Sequence, residues 1–200
     1  PNNPTGSVLS PESMAAIVRI ASRSGAWILA DEVYQGAERV GPATPSFYGT
    51  TERVLTVNGL SKAYGLPGLR IGWIAGPKGV VAKIWTYHDY TTICPSALSD
   101  RLAVFVLSPG KRERVLARTR AILNANWPVL EAWLDRQGVF TFQAPRAGAI
   151  VFAGYGFEMN STAFVERLVR NQSVLVAPGD HFAMDRHLRI GLGPEEAYLR

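Results

Sequence analysis

The chain has 200 residues, 47% of them hydrophobic and 18% charged, and its net charge at pH 7 is +5. This length and composition can bury the core of one domain or two small ones, and the lack of a long apolar run or a basic-then-apolar leader predicts a cytoplasmic protein without membrane attachment. The single cysteine, Cys94, excludes an internal disulfide and a cysteine metal motif, so we expect a small buried hydrophobe.

The first part of the chain alternates between helical and strand patterns, which is typical of α/β proteins. Ser10 followed by Pro11 indicates a helix N-terminus and predicts a helix that runs to about residue 24. Strands are predicted over residues 27–30, 54–57 and 71–75. The first strand would deliver Asp31 at its carboxyl end, and Lys62 follows shortly after the second. Because ligands of open α/β sheets lie outside the carboxyl ends of the strands, these two residues can converge on one crevice.

Three helices are predicted next, over residues 77–87, 96–107 and 111–136. The third begins with the only dense basic run, KRERVLARTR at residues 111–120. Apolar side chains recur at helical spacing from Val115 to Leu134, which indicates a solvated charged face rather than a nucleic-acid-binding surface. Pro128 should kink this helix or divide it into two.

From about residue 138 the pattern changes to short strands around one helix, which predicts a second, smaller α+β domain. Its helix is predicted over residues 162–171. Its strands are predicted over residues 140–143, 150–154, 174–176 and 187–191. Residues 195–200 look like the opening of one more helix.

The most informative stretch is NGLSKAYGLPGLRIGW at residues 58–73, which follows the second strand. It places Lys62 among three glycines, with Arg70 eight positions further on. A lysine amine can form a Schiff base with a carbonyl, and an arginine fork is a frequent partner of phosphate. These two requirements meet in pyridoxal phosphate, although the stretch by itself is equally compatible with a simple turn.

Two further motifs, PNNPTG at residues 1–6 and DEVY at residues 31–34, come before this stretch. In this order the three motifs resemble the fold type I pyridoxal-phosphate enzymes, specifically the class I and II aminotransferases. The resemblance implies an α/β, aspartate-aminotransferase-like fold, with residues 1–137 in the large mixed-sheet cofactor domain and residues 138–200 in a small, truncated α+β domain. It also implies that the chain is the C-terminal half of a longer, homodimeric protein.

The resemblance implies roles for residues around the cofactor, pyridoxal 5'-phosphate. Lys62 would hold it as an internal aldimine and, once displaced by substrate, would shuttle a proton. Asp31 would keep the pyridine nitrogen protonated, which makes the ring an electron sink, while Glu32 should point elsewhere. Asn3 and Tyr34 match the pair that hydrogen-bonds the phenolic oxygen, and Asn3 is also expected to border the substrate.

Further family positions concern the phosphate and the substrate carboxylate. Ser61 and Arg70 match phosphate-binding positions, but Gly59 stands where the family commonly has serine or threonine, which leaves one contact open to a backbone N–H or to water. Arg189 matches the arginine whose bidentate fork binds the substrate α-carboxylate. Arg186 is its competitor but lacks the flanking strand pattern.

The segment HDYTT at residues 88–92 matches one that can reach the active site of the dimer partner in the family. Asp89 in this segment would favour a cationic or amide side chain on the substrate. His181 and His187 have no metal-ligand partner at a useful spacing, and we predict no metal site.

These observations predict a pyridoxal-phosphate-dependent aminotransferase that moves an amino group from an amino acid to a 2-oxo acid. A lyase, decarboxylase, cyclase or oxidase would use the same Asp31, Lys62 and Arg70, and the sequence separates these reactions poorly. A second alternative is an aminotransferase-like sensor domain of a transcription regulator, which intact Lys62, Asp31 and Arg189 do not exclude.

Overall fold

The computed structural model describes residues 1–193, and its contacts divide the chain into two compact units. The middle unit is Leu9–Thr119, and the terminal unit combines Pro1–Val8 with the chain from Arg120 onward. This division does not test the predicted domain boundary at residue 138, which stays a prediction. The helix predicted at residues 195–200 lies outside the described residues.

The middle unit is built on a three-stranded sheet. β1 (Ile28–Asp31) runs parallel to β2 (Val54–Gly59), which pairs antiparallel with β3 (Gly72–Ala75). Asp31 lies opposite Val57, so the two parallel strands end at the same edge. With the helices around it, this mixed sheet confirms the α/β class predicted from the sequence.

Helix α1 (Pro11–Ser24) packs on one face of this sheet and begins as its sequence predicts. The Ser10 side chain accepts the amide of Ser13, and proline occupies the first turn. Successive residues of β1 alternate between buried and exposed, and Asp31 is on the exposed face, away from the core. The core between helix and sheet contains Met14, Ala21, Ile28, Ala30, Phe47 and Val54.

Three helices follow the sheet: α2 (Lys78–His88), α3 (Ala97–Leu107) and α4 (Lys111–Gln137). Pro128 does not divide the last helix, because α4 is one helix of 27 residues with the proline inside it, and the alternative, a kink at Pro128, stays a prediction. Apolar packing compensates for the hydrogen bond that a proline cannot donate. Around that position the helix buries Leu123 and Trp127 before the proline and Leu130 and Leu134 after it.

Cys94 lies in the connection between α2 and α3, and its predicted burial is wrong. The side chain is exposed, as are all residues from 89 to 98. This connection is a series of turns, in which the amides of Thr91 and Thr92 both donate to the carbonyl of His88 at 3.0 Å. A residue in such a turn has no second layer of structure to cover it.

The terminal unit contains a four-stranded antiparallel sheet in the order β4-β5-β7-β6. Its core is aromatic, with Tyr155 stacked on Phe157 and Phe164 edge-on to both. The elements are β4 (Phe140–Thr141), β5 (Ile150–Tyr155), α5 (Ser161–Gln172), β6 (Ala177–Pro178) and β7 (His187–Gly191).

The strand predicted at residues 174–176 is wrong, because the structure has β6 at Ala177–Pro178 instead. The amides of Ser173 and Val174 donate to carbonyls in the last turn of α5, so this stretch terminates the helix before the chain can join the sheet. None of the helices within residues 1–193 combines the length and the apolarity that crossing a membrane requires.

Candidate functional site

Lys62 lies in the turn that follows β2, and it is exposed while its neighbours belong to the core. Leu60 and Ala63 have no exposed surface, and Tyr64 is only 2% exposed. The amide of Leu60 donates to the carbonyl of Ile71 at 3.0 Å, which fastens the turn to the chain that enters β3. The structure therefore presents the lysine amine outward from a fixed backbone.

A backbone hydrogen bond joins the Lys62 turn to the loop that follows β1. The amide of Ala63 donates to the carbonyl of Val33 at 3.1 Å, and the amide of Val33 donates to Asp31 Oδ1, also at 3.1 Å. Because both parallel strands end at this edge, the turns that carry Lys62 and Asp31 lie side by side. The middle unit thus brings an exposed amine and an exposed carboxylate to adjacent loops.

Glu32 follows Asp31 in sequence, but its side chain binds the loop between β1 and β2. Its carboxylate accepts the hydroxyl of Ser46 at 2.7 Å and the amide of Phe47 at 2.8 Å. The side chain is therefore used to hold the long loop between β1 and β2, which leaves Asp31 as the acidic residue on the exposed face.

Tyr34 is half-buried in a turn of the same loop, and a buried carboxylate closes that turn. Glu38 is 2% exposed and accepts the amides of Gly36 at 2.8 Å and Thr44 at 2.9 Å. A buried carboxylate is costly unless such donors satisfy it. Sequence reasoning missed Glu38, because nothing in the local pattern distinguishes it from a surface glutamate.

Ser61 and Arg70 flank the lysine in sequence, and the structure leaves both accessible. Ser61 is half-buried and Arg70 is exposed at the end of a short 3-10 helix, Pro67–Leu69. Arg70 has a φ of 54°, which is uncommon for a residue with a side chain, and its guanidinium donates to the Pro67 carbonyl at 3.0 Å. Such backbone conformations concentrate at ligand-binding sites.

Gly59, the departure from the family pattern, lies where β2 and the start of β3 approach closely. A Cβ at this position would be 2.9 Å from the carbonyl oxygen of Ile71 and 3.2 Å from the Cα of Gly72. Serine or threonine would therefore collide with backbone here. The Gly59 amide donates to Asn58 Oδ1 at 2.7 Å, so this N–H is already used within the strand.

The basic run at the start of α4 contains two arginines that contact the Lys62 turn. Arg112 Nε donates to the Tyr64 hydroxyl and Arg118 Nη2 donates to the Tyr64 carbonyl, each at 3.0 Å. Arg118 is nevertheless exposed and the Arg112 side chain is 42% exposed, so these two residues bind the turn from a helix face that is still in contact with solvent. No local pattern could reveal the contacts, because they join residues 48 and 54 positions apart.

In the terminal unit, Arg189 on β7 contacts the first motif of the chain. Its Nη1 donates to Asn3 Oδ1 at 3.1 Å, and its guanidinium carbon lies 5.4 Å from the ring centre of Phe182. The competitor, Arg186, forms an ion pair with Glu158 at 3.1 Å. The structure therefore brings the predicted residues Asn3 and Arg189 together and engages Arg186 elsewhere.

The PNNPTG loop reaches Arg189 because it is docked on the chain that precedes β5. The Gly6 carbonyl accepts the amides of Arg146 and Ala147 at 3.0 and 3.1 Å. Within the loop, Asn2 Oδ1 accepts the Thr5 hydroxyl at 2.8 Å. Arg189 also borders a groove of about 430 Å³ whose other lining residues are Ile150, Leu175, Val176, Ala177, Pro178, His181 and Gly191.

The remaining predicted residues lie outside these clusters. Asp89 is exposed at the end of α2, in the turns before Cys94. His187 Nδ1 lies 2.9 Å from the carbonyl of Asp185, and its ring stacks on Phe152 with centres 4.9 Å apart. His187 thus packs as an ordinary polar residue.

The side chains of the middle unit fit pyridoxal 5'-phosphate. This group needs an amine for its aldehyde, a carboxylate for its ring nitrogen and cationic or hydroxyl donors for its phosphate. Lys62, Asp31, Arg70 and Ser61 supply these functions from loops around the carboxyl edge of β1 and β2, and none of the first three is buried.

Comparison with known sequences gives one family over the whole chain, described as aminotransferase class I and II, which matches residues 1–200. The capreomycidine synthase of Streptomyces vinaceus is 31% identical over 191 residues, 96% of this chain and 49% of that protein. The valine–pyruvate aminotransferase of Mycobacterium tuberculosis is 34% identical over 185 residues, 91% of this chain and 47% of that protein. The chain therefore spans about half the length of the curated relatives it matches.

Solved structures show the same fold. A pyridoxal-phosphate-dependent aminotransferase from Streptococcus suis superposes with a TM-score of 0.91 at 34% identity and covers 99% of this chain and 52% of that one. The aspartate aminotransferase of Thermus thermophilus with maleate has a TM-score of 0.91 at 27% identity, over 100% of this chain and 52% of that one. The fold predicted from the three motifs is confirmed.

Proposed function

The chain belongs to the class I and II aminotransferases, and from this membership we propose that the whole protein is a pyridoxal-phosphate-dependent aminotransferase that moves an amino group from an amino acid to a 2-oxo acid. The observation that carries the proposal is the exposed Lys62 amine on a turn bonded to the Asp31 loop. This arrangement occurs in a chain that matches the family over its whole length.

Two residues of the middle unit perform the central chemistry in this proposal. Bound pyridoxal phosphate supplies an electron sink for the charge that develops at the substrate α-carbon. Lys62 would hold the cofactor covalently through Nζ and, once the substrate amine has replaced it there, the freed Nζ would take the proton from the substrate α-carbon and deliver it to the cofactor. Asp31 keeps the ring nitrogen protonated by placing a negative charge beside it.

Other residues bind and orient. Arg70 and Ser61 hold the phosphate, and Tyr34 donates to the phenolic oxygen. Arg189 binds the substrate α-carboxylate through its fork. Asn3, which accepts a hydrogen bond from Arg189 Nη1, fixes one end of that fork and so orients the carboxylate.

The covalent role of Lys62 is tested on the whole protein by adding pyridoxal 5'-phosphate, reducing with borohydride and identifying the modified peptide by mass. We expect the label on Lys62. Lys62→Ala should take no label, and its rate of transamination should fall by about 10²–10⁴-fold, which is the usual contribution of a positioned acid–base group. Lys83→Ala, which removes an exposed lysine of α2, is the matched control and should behave as the unchanged protein. A label on another lysine, or none on folded protein, contradicts the assignment.

A different reaction of the same cofactor is the second candidate, and the similarity to a capreomycidine synthase favours it. Such a reaction would use Lys62 and Asp31 in the same way but would need no amino acceptor. Product analysis with and without a 2-oxo acid separates the two. Turnover that depends on the acceptor supports amino transfer, and product without it supports the alternative.

The substrate side chain is a separate proposal that rests on Asp89. We propose that this exposed carboxylate favours a cationic or amide side chain, because opposite charge attracts and like charge repels. Asp89→Asn should lower kcat/KM for a basic amino acid and leave an apolar one unchanged. Asp100→Asn, an exposed aspartate of α3, is the control. An equal loss for all amino acids would overturn the assignment.

The assembly and the location of the whole protein are also proposals. We propose a homodimer in the cytoplasm, as the family resemblance implies. Sedimentation of the purified whole protein measures its oligomeric state, and a single species of monomer mass would contradict the proposed homodimer.

A further inference from the structure

We propose that Arg112 and Arg118 are positioning residues that fix the Lys62 turn by holding Tyr64 from both ends. Arg112 Nε donates to the Tyr64 hydroxyl and Arg118 Nη2 donates to its carbonyl, each at 3.0 Å. The inference rests on the proposed function only in assigning chemistry to Lys62. The contacts themselves lie within the middle unit.

Tyr64 is the only large aromatic anchor in this turn. It is 2% exposed, and its ring lies edge-on to Trp73 of β3 with centres 6.4 Å apart. A buried hydroxyl and a buried carbonyl each cost free energy if they lack a partner. The two arginines satisfy both groups, and charged donors form the stronger hydrogen bonds.

The Arg118 contact acts on the peptide unit between Tyr64 and Gly65, which closes the turn that carries Lys62. This unit carries the Tyr64 carbonyl, which accepts Arg118, and the Gly65 amide, which donates to the Lys62 carbonyl at 2.9 Å. Since a peptide unit is planar, holding its oxygen also fixes the direction of its N–H. Arg118 thereby fixes the hydrogen bond that closes the turn on Lys62.

The structure leaves room for this contact. A Cβ on Gly65 would lie 2.9 Å from Arg118 Nη2, so any other residue there would push the guanidinium away. Arg114, in the same basic run, is exposed as Arg118 is, but within the described residues its side chain forms no hydrogen bond with Tyr64. Of the four arginines in the run, Arg112 and Arg118 bind the turn, and Arg114 serves as an internal control.

The experiment uses the whole protein with pyridoxal 5'-phosphate as the probe, and measures the rate of covalent capture on Lys62 by borohydride trapping, together with kcat and KM. We expect Arg118→Met and Arg112→Met to slow capture and lower kcat by about 10–100-fold, the scale of a misplaced catalytic group, with little change in KM. Arg118→Lys, which keeps a cationic donor, should recover part of the rate. Arg114→Met should match the unchanged protein.

The outcomes separate this inference from the proposed function. If the unchanged protein captures no cofactor, both fail. Suppose instead that the unchanged protein captures the cofactor, and that Arg118→Met and Arg112→Met have the same capture rate and kcat as Arg114→Met. Then only the positioning inference fails. Tyr64→Phe removes one hydrogen bond and keeps the ring, so it tests the Arg112 contact even if an arginine variant does not fold. A lower unfolding temperature with an unchanged capture rate would also overturn the inference, because it would show a structural role alone.

Discussion

Gly6 shows how a single residue sets the position of the loop formed by residues 1–6. It is buried with a φ of +66°, and a Cβ would lie 2.4 Å from Pro145 Cβ and 2.9 Å from the Ala147 carbonyl oxygen. We expect Gly6→Ala to lower the free energy of unfolding by about 2–4 kcal/mol, from the left-handed backbone and the overpacking together. Because the loop also carries Asn3, the change should raise KM for the amino acid. Denaturant unfolding and steady-state kinetics measure the two effects.

Gly49 is the matched control for this prediction. Its φ is also positive, at +78°, but a Cβ there would meet nothing within 4 Å. Gly49→Ala should therefore cost only the backbone contribution of about 1 kcal/mol and leave KM unchanged. Equal losses at the two glycines would show that the docking of the Gly6 loop contributes nothing.

At the residue scale, the sequence points to candidate ligand-binding groups more readily than to the residues that hold those groups in place. Lys62, Asp31 and Arg70 are recognisable because the chemistry restricts their type and spacing. Tyr64 and Glu38 are not, because their roles depend on burial and on partners that the fold supplies. A hydrogen bond across 54 positions, as between Tyr64 and Arg118, leaves no periodic signal in the chain.

At the element scale, the N-terminus of α5 is held by a cluster of acidic and hydroxyl side chains. Asp185 Oδ1 accepts the Ser161 amide and Asp180 Oδ2 accepts the Thr162 hydroxyl, both at 2.7 Å. The Asn160 side chain accepts the Thr162 amide at 3.0 Å. These donors lower the pKa of both carboxyls, chiefly through the Ser161 amide for Asp185 and the Thr162 hydroxyl for Asp180.

This cluster predicts an acid-sensitive helix. Because the folded pKa values lie below the ordinary aspartate value of 3.8, the stability they contribute is present above that value and is lost as pH falls through the folded pKa. We expect the unfolding temperature of the unchanged protein to fall more steeply below pH 4 than that of Asp185→Asn. Asp135→Asn, an exposed aspartate of α4, should keep the steep fall. Parallel pH profiles for all three would contradict the prediction.

The elements that the sequence predicts well are those with strong local signals. α1 combines Ser10 with Pro11, and its bounds match the prediction. β6 lies a few residues after its predicted position. Its two residues carry no periodicity, and the amides of Ser173 and Val174 before it still bond to the end of α5. At Pro128 the local signal for a helix end yields to apolar packing, and α4 continues through the proline.

At the scale of the whole molecule, the central question is what covers the apolar side chains between Trp85 and Phe105. Leu98 is 69%, Val104 68% and Phe105 58% exposed, which is unusual for side chains so close in sequence. Exposed apolar surface of this extent marks an interaction site or favours aggregation. We propose that other parts of the whole protein cover these residues.

Residues 1–200 produced alone should therefore self-associate and bind a hydrophobic dye, whereas the whole protein should do neither. The cause is apolar surface left in water, at about 25 cal/mol for each Å². Replacing Leu98 and Val104 by serine in the short chain should reduce dye binding, while the same change in the whole protein should destabilise it, because there it would bury hydroxyls without partners. Light scattering and dye fluorescence measure both, and a monomeric short chain that binds no dye would show that these side chains need no cover.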